Sequence, residues 1–211
     1  MPAHNEAITI RDVITSSIQC EHVAEIVVVD NCSSDNTAEI AKLGRVRVIR
    51  EEIKGKGQSI RKGVSITEAN ILVFLDADLI GLTPNHIKEL VKPILANEAD
   101  MVCGLFDRGY FLNMIFLHSL PILTGQRAIH RRIFDDLEDI EIKGYRLEFA
   151  LNTHVKYQRL RQLNFVCKGM THRPKELKFS NPVVGFWLKQ KMFLEALTGY
   201  FVYLFRRRWL L

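Results

Sequence analysis

The sequence predicts an α/β protein built on a doubly wound sheet. Three short apolar runs, at residues 24–30, 46–50 and 71–75, have the length and composition of buried strands, and each is followed by turn residues and a helical pattern. The chain of 211 residues is 47% hydrophobic and 25% charged, an ordinary globular composition with enough residues for one sizeable core. We therefore expect a sheet with helices on both faces.

The first half of the chain is predicted as strand, turn and helix in regular order. Residues 1–6 are predicted as a loop, and helices are expected at residues 7–18, 37–43 and about 58–69. No strand precedes the opening loop, although the first strand of such a sheet belongs there, in the middle of the sheet. We therefore expect a first strand upstream of this chain or, without one, an exposed strand edge and marginal stability.

The second half continues the alternation. Thr83 and Pro84 predict the start of a helix that runs to about residue 96, because threonine is a good N-cap and proline suits the first helical position. Residues 111–123 are largely apolar but too short to span a membrane, so they are predicted as core or as a cleft wall. The other elements expected are a strand at 100–106, a turn at 107–109, a short strand and a helix at 132–137, a helix from 144–148 and a strand at 164–170. These elements place residues 1–180 in one domain and leave residues 181–211 as a C-terminal helix.

Two aspartates on alternate positions, Asp76 and Asp78, follow the apolar run at residues 71–75. Alternation would put both carboxylates on one side of an extended segment, at a strand's carboxyl end, where open α/β sheets bind ligands. Close carboxylates repel each other, so the pair favours a cation, and Mg²⁺ or Mn²⁺ carrying phosphate groups suits such hard oxygen ligands. The alternative is a loop in which the aspartates cap the next helix.

A cluster of glycines and lysines, Lys54, Gly55, Lys56 and Gly57, comes just before the helix predicted at about residues 58–69. The two ammonium groups, the backbone N–H groups and the dipole of a helix N-terminus together suit an anionic ligand. A flexible surface turn is the alternative.

The net charge of +5 hides two regions of opposite charge. Residues 153–211 carry 12 basic and two acidic side chains, whereas residues 1–152 carry 17 basic and 22 acidic ones. The basic region could meet nucleic acid, an anionic membrane or an anionic substrate, or it could be a solvated face. No nucleic-acid recognition motif accompanies it, so we expect no nucleic-acid partner.

Residues 185–211 combine a wide apolar and aromatic surface with a closing basic cluster, Arg206, Arg207 and Arg208. This composition is typical of an interfacial helix on an anionic membrane, where each Lys or Arg contributes roughly 1 kcal/mol. The alternative is that the helix packs on the body of the protein or on the second subunit of a homodimer.

The four cysteines are scattered and show no C-x-x-C spacing, which predicts neither a disulfide framework nor a zinc site. They have the pattern of reduced cytoplasmic thiols. The sequence has no signal-peptide pattern and no uncharged apolar stretch of about 18 residues. We therefore expect a cytoplasmic protein with peripheral contact to the inner face of the membrane.

Seven segments, in order over residues 2–173, resemble the family-2 glycosyltransferases of the GT-A fold. They are PAHNEA, EIVVVDNCSSDNT, KGKG, FLDADLIGLTP, LTGQRA with the arginine pair that follows, GYRLEFAL and GMTHR. The second half is also similar to the glucosyl-3-phosphoglycerate synthases, whose D-x-D, G-Y-x-x-E and H-R elements have the same arrangement. The resemblance implies a Rossmann-like GT-A mixed sheet and a metal-dependent transfer of sugar from a UDP- or GDP-sugar.

The resemblance also implies roles for single residues. Asp30 would bond the base, Asp78 would ligate Mg²⁺ or Mn²⁺, and His172 would complete the protein ligands of that metal; a surface position is the alternative for His172. The residues that would line or flank the rest of the nucleotide sugar are Pro2, Ala3, Glu6, Lys54, Gly55, Lys56, Gly57, Asp76 and Ala77.

Glu148 would hold the sugar or deprotonate the acceptor, with Asp78 as the other catalytic residue. The alternative for Glu148 is a first-turn glutamate favoured by the helix dipole. The acceptor would be a phosphorylated small molecule or a polyprenyl phosphate. Its ligands would be Arg108, Gly125, Gln126 and Arg127, although a structural ion pair is equally consistent with either arginine.

Two other functions stay open on the sequence alone. A nucleotidyltransferase would carry a glycine-rich, arginine-bearing loop after the first strand, where this chain has Ala3-His4-Asn5-Glu6. A non-catalytic, membrane-associated protein that binds a nucleotide sugar would not need its catalytic carboxylates. Turnover of a donor separates the second alternative from an enzyme.

Overall fold

A computed structural model describes residues 1–44, 46–107, 109, 124–138, 142 and 146–173 of the chain. Strands and helices alternate over most of these residues. In chain order they are β1 (Pro2–Ala3), α1 (Ile10–Ile18), β2 (Val27–Asn31), α2 (Thr37–Leu43), β3 (Arg47–Glu51), α3 (Lys56–Ser65), β4 (Ile71–Phe74), β5 (Leu79–Ile80), α4 (Pro84–Leu95), β6 (Met101–Phe106), β7 (Arg127–His130), α5 (Arg131–Asp135), α6 (Leu147–Tyr157), β8 (Gln162–Cys167) and β9 (Thr171–His172).

The described strands form three groups. In the first, β1, β2 and β3 lie in that order and are parallel. In the second, the order is β4-β7-β6-β8, with β7 antiparallel to both of its neighbours and β8 parallel to β6. The third is the antiparallel pair β5 and β9. The mixed sheet that the resemblance implies is confirmed, and the antiparallel strand β7 is what makes it mixed.

Part of the segment predicted as an opening loop, residues 1–6, forms a short strand. Pro2 and Ala3 form β1 and pair with Val29 and Asp30 of β2. The carbonyl of Met1 also accepts a hydrogen bond from the N–H of Val29, at 2.9 Å. This pairing corrects the sequence-based prediction. A strand of two residues carries too little alternation to be recognised from the sequence.

Other boundaries follow the sequence within a few residues. Helix α2 begins and ends where predicted, and Thr83 caps α4 by accepting a hydrogen bond from the N–H of His86 at 3.3 Å. His86 completes a capping box, because its Nδ1 accepts from the N–H of Thr83 at 3.2 Å. Helix α1 begins at Ile10 rather than at residue 7, and α3 covers residues 56–65 rather than 58–69. The sequence analysis missed β5.

Strand β4 separates two apolar layers, as its apolar composition predicts. Leu72 and Phe74 pack in the layer that contains α3, α5 and α6. Ile71 and Val73 pack on the opposite face, against the layer that contains α4. Burial on both faces fixes the carboxyl end of β4, and this end carries Asp76.

No helix among the described residues is long and apolar enough to cross a membrane. The segment predicted as helical at residues 111–123 and the C-terminal helix predicted at residues 181–211 lie outside the described residues. The division into residues 1–180 and 181–211 therefore stays a prediction.

Two glycines in the left-handed region flank the β5–β9 pair, and they provide a matched test of its packing. Gly81 has φ +74°, and a Cβ on it would overlap the carbonyl oxygen of Gly169. Gly169 has φ +73°, but a Cβ on it would have no neighbouring atom within 4 Å. Gly169→Ala should therefore cost only the strain of the backbone, about 1 kcal/mol, and Gly81→Ala should cost more. Urea unfolding of both variants checks this order, and equal losses would contradict it.

Candidate functional site

An ion cluster of Lys56, Asp76 and Glu148 lies at the carboxyl end of β4. Lys56 is the first residue of α3, Asp76 follows β4 by two residues, and Glu148 is the second residue of α6. The Lys56 Nζ atom lies 2.7 Å from Oδ1 of Asp76 and 2.8 Å from Oε1 of Glu148. One ammonium group thus bridges two carboxylates that are distant in sequence.

The cluster is largely shielded from solvent. The side chains of Lys56, Asp76 and Glu148 are 20%, 25% and 13% exposed. Burial by itself would lower the pKa of Lys56, but the nearby charges of Asp76 and Glu148 outweigh it, so the pKa lies above its ordinary value. Lys56 therefore stays charged, and one oxygen of Glu148, Oε2, is buried without a hydrogen-bond partner among the described residues.

The second oxygen of Asp76 is held by a buried amide. Oδ2 of Asp76 accepts a hydrogen bond from Nε2 of Gln126 at 2.9 Å, and Gln126 is 0% exposed. The hydroxyl of Thr124 lies 2.7 Å from Oε1 of Gln126. Asp76 is therefore bound through both oxygens, and its position differs from the simple extended strand end that alternation predicts.

Gln126 and Arg127, two of the predicted acceptor ligands, have buried side chains. Arg127 is 1% exposed, and its guanidinium donates to the carbonyls of Thr124 and Glu148, the latter at 3.3 Å. The interior position favours a structural role over the predicted contact with an acceptor. Gly125, which precedes Gln126, lies against Asp76 and Lys56. Arg108 lies outside the described residues.

Asp78 directly precedes β5, which pairs with β9, and His172 lies on β9, although the two residues are far apart in the sequence. Leu79, which follows Asp78, pairs with His172, and the N–H of Arg173 donates to the carbonyl of Asp78 at 2.9 Å. The ring of His172 packs on Phe106 with centroids 4.8 Å apart. The β5–β9 pairing places the backbones of the two residues next to each other, and a carboxylate and an imidazole are both ligand types that a divalent cation such as Mn²⁺ accepts. No group of three or more potential metal ligands is found among the described residues.

The residues expected around the base lie at the ends of β1 and β2. Ala3 pairs with Asp30, which is 4% exposed and has an oxygen, Oδ1, without a hydrogen-bond partner among the described residues. Glu6, three residues after Ala3, is buried, and its backbone N–H donates to Oγ1 of Thr37 at 2.8 Å. A buried carboxylate oxygen that lacks a donor suits a ligand that supplies an N–H group. Pro2 is half-buried.

The predicted glycine and lysine cluster divides into two parts. Lys54 is exposed, whereas Gly57 is buried and Lys56 belongs to the ion cluster. Gly55 has φ +144°, which suits glycine, and its N–H donates to Oδ1 of Asn31 at 2.8 Å. The sequence analysis did not identify Asn31, although its position directly after Asp30 at a strand end was a signal for it. Asn31 holds this turn in place, because its amide also donates to the carbonyls of Glu51 and Ile53.

Ala77, which lies between the two aspartates, has a buried side chain. It is 2% exposed and packs in an apolar cluster with Ala3 and Ile10. Its carbonyl accepts a hydrogen bond from the hydroxyl of Thr9 at 2.8 Å. The side chain therefore faces the interior, and it links the aspartate segment to α1.

Comparison with known proteins assigns a family to this arrangement of strands and carboxylates. The family model for glycosyl transferase family 2 matches residues 1–148. A glucosyl-3-phosphoglycerate synthase from Mycobacterium tuberculosis is 33% identical over 118 residues, which cover 51% of this chain and 36% of that protein. Glycosyltransferase AglJ from Haloferax volcanii is 38% identical over 158 residues, which cover 64% of this chain and 50% of that protein. The chain thus spans between about a third and a half of the length of these two relatives.

A solved structure of the synthase from Mycobacterium tuberculosis has the same fold. That structure, in complex with Mn²⁺, UDP-glucose and phosphoglyceric acid, matches with a TM-score of 0.73 and 26% identity, covering 94% of this chain and 77% of that one. A second structure of the synthase contains Mg²⁺ and UDP and matches with the same TM-score. The GT-A fold expected from the resemblance is therefore confirmed.

Proposed function

Since this chain belongs to glycosyl transferase family 2, we propose that it transfers a sugar from a nucleotide-diphospho-sugar to a phosphorylated acceptor. The observation that carries this proposal is the cluster of Lys56, Asp76 and Glu148 at the carboxyl end of β4. It offers an ammonium group for a diphosphate and a buried carboxylate for a sugar or an acceptor hydroxyl, at the edge of the sheet where α/β proteins bind ligands. Glu148 would hold the sugar or accept the proton of the acceptor.

The donor is proposed to be a UDP-sugar. Related structures contain UDP-glucose or UDP, and the buried Oδ1 of Asp30 would accept the N–H of a uracil ring. Pro2, Ala3 and Glu6 lie at the same strand ends and would line the base and ribose. Asn31 would keep the Gly55 turn in the shape that the diphosphate needs.

The metal is proposed to be Mn²⁺ or Mg²⁺, held by Asp78 and His172. Mn²⁺ accompanies UDP-glucose and Mg²⁺ accompanies UDP in related structures, and Asp78 directly precedes β5, whose Leu79 pairs with His172. When bound, such an ion would offset the negative charge that develops on the diphosphate as the sugar leaves. Asp78 would contribute a full charge to this site and His172 a neutral ring nitrogen.

The acceptor is proposed to carry a phosphate group, since a related structure contains phosphoglyceric acid. Arg108 remains a proposed ligand for that phosphate, because a guanidinium binds phosphate oxygens in pairs. Arg127 is not proposed in this role, since its guanidinium is buried between two carbonyl groups.

Donor binding should be visible as thermal stabilisation. A ligand that binds only the folded state at about 100 times its Kd adds about 2.7 kcal/mol of stability, so UDP-glucose with Mn²⁺ should raise Tm more than GDP-mannose with Mn²⁺. Asp30→Ala should lose most of this shift, whereas Ile53→Ala, at an exposed position beyond β3, should keep it. The proposal fails if no nucleotide sugar changes Tm in the presence of metal. Release of UDP in an acceptor screen then separates an enzyme from a protein that only binds the donor.

A membrane location is proposed for the C-terminal region. Residues 185–211 combine apolar and aromatic residues with Arg206, Arg207 and Arg208, which suits an anionic lipid surface. The full chain should float with vesicles that contain phosphatidylglycerol and should remain unbound with neutral vesicles. A chain without residues 185–211 should stay unbound in both cases. Equal flotation of the two proteins would show that this region is not the anchor.

A further inference from the structure

Residues 124–127, which lead into β7, contact every member of the ion cluster. Gln126 donates to Asp76, Arg127 donates to the carbonyl of Glu148, and the backbone of Gly125 lies against Lys56 and Asp76. All four residues are within the described part of the chain. Residues 124–127 therefore join the three side chains of the ion cluster to the start of β7.

The orientation of the Gln126 amide follows from its neighbours. A carboxylate only accepts hydrogen bonds, so the amide nitrogen must face Oδ2 of Asp76, 2.9 Å away. The amide oxygen then faces the hydroxyl of Thr124 at 2.7 Å. The same hydroxyl lies 2.5 Å from the carbonyl of Gly104 on β6, and it accepts from the N–H of Gln126 at 3.2 Å. The orientation of the Asp76 carboxylate is thus tied to the centre of the sheet.

Arg127 makes the corresponding connection to Glu148. Its guanidinium donates to the carbonyl of Thr124, within the same segment, and to the carbonyl of Glu148, in the first turn of α6. Asn152, one turn further along α6, donates to the same carbonyl of Glu148 at 2.7 Å. The backbone of Glu148 is therefore fixed relative to the segment that holds Asp76.

Gly125 shows how closely the segment approaches the cluster. A Cβ at this position would overlap Oδ2 of Asp76 and would lie 2.7 Å from Nζ of Lys56. A side chain at residue 125 would therefore have to displace the charged ends of Asp76 and Lys56, so the backbone of Gly125 forms one wall of the ion cluster.

We propose that Gln126 and Arg127 are positioning residues that set the separation of the Asp76 and Glu148 carboxylates around Lys56, with Thr124 fixing the Gln126 amide. The inference rests on the proposed glycosyl transfer, because it assigns the two carboxylates to the donor and to the sugar or acceptor. Two carboxylates on different elements keep a reactive geometry only if something holds both, and misplacement by about 1 Å can cost about 10²-fold in rate.

The first experiment removes the amide and keeps its volume. Gln126→Met should lower kcat about 10- to 100-fold and change the KM for the donor much less, because the donor still binds while the carboxylates are misaligned. Gln162→Met is the matched control, since Gln162 donates to Asn164 on β8 and has no contact with the cluster. Gln162→Met should keep the wild-type kcat. Equal kcat values in Gln126→Met and the wild type would overturn the proposal.

The second experiment does not depend on activity. In crystal structures, the Asp76 carboxylate should turn away from Lys56 in Gln126→Met, and α6 should shift relative to β7 in Arg127→Met. Unchanged positions in both would overturn the proposal. If the wild type transfers no sugar with any donor, the proposed function fails, yet these structures still decide whether residues 124–127 position the cluster.

Discussion

Asp78→Ala should lower the turnover of sugar transfer by about 10³-fold, the largest loss expected of any single substitution in this chain. Asp78 follows the end of β4 and pairs, through its carbonyl, with Arg173 next to His172. Removing its carboxylate takes a full negative charge away from the proposed metal. The loss should fall mainly on kcat, because the metal offsets charge that develops as the sugar leaves.

His172→Ala removes a neutral ligand from the same ion, so its loss should be smaller than that of Asp78→Ala. A nitrogen ligand is tolerated better by Mn²⁺ than by Mg²⁺, and Mn²⁺ should support the wild type at least as well. Steady-state rates of both variants with each metal check two rankings: the loss in Asp78→Ala against that in His172→Ala, and the rate with Mn²⁺ against that with Mg²⁺. Undiminished wild-type turnover in EDTA would contradict the assignment. A structure with donor in which His172 lies more than about 6 Å from the Asp78 carboxylate would also contradict it, because two ligands of one ion each lie about 2.0 to 2.3 Å from it.

Lys56→Met should destabilise the protein by about 3 kcal/mol and prevent donor binding. The side chains of Asp76 and Glu148 are only 25% and 13% exposed, so without the ammonium group two shielded carboxylates face each other. Lys62→Met is the matched control, because Lys62 lies on the same helix and is exposed. That variant should stay within about 0.5 kcal/mol of the wild type in urea unfolding.

The pH dependence of this loss has a definite sign. The pKa of Lys56 is raised, against the effect of burial, by Asp76 and then by Glu148. The charged Lys56 side chain therefore stabilises the folded protein fully below the unfolded-state pKa of about 10.4. This stabilisation is lost only as the pH rises through the higher pKa of the folded state. In Lys56→Met, by contrast, protonation of one carboxyl group relieves the repulsion, so Tm should rise as the pH falls from about 8 to about 5. The Tm of Lys62→Met is the reference over the same pH range. If the Tm of Lys56→Met falls together with it, the two carboxylates do not repel each other as expected.

The elements that the sequence predicts well have strong local signals. The Thr83-Pro84 pair defines the start of α4, because capping depends on residues that are close in the chain, and Asp35 accepts a hydrogen bond from the N–H of Thr37 at the start of α2. The run at residues 71–75 predicts a strand buried on both faces, since no polar residue interrupts it. The family resemblance predicted the GT-A fold, which is confirmed, and a metal site shared by Asp78 and His172, which stays a prediction.

What the sequence does not predict depends on contacts between distant residues. Gln126 and Arg127 are polar side chains in a loop, where the usual expectation is exposure to solvent or ligand, and the structure buries both. The bridge by Lys56 joins α3, the end of β4 and α6, and no periodicity in the sequence reports which lysine will make it. The two-residue strands β1 and β5 are defined by their partners rather than by their own residues.

Strand β6 has a consequence for the order in which the chain folds during synthesis. All six of its residues are buried, and it lies between β7 and β8, so one of its edges pairs with Gln162–Cys167 of β8. A ribosome makes about 5 to 20 residues per second, and a hydrophobic edge without its partner is prone to aggregate. β6 must therefore wait several seconds, while about 60 further residues are added, before its parallel neighbour exists. Chaperone binding to the nascent chain should be strongest in that interval.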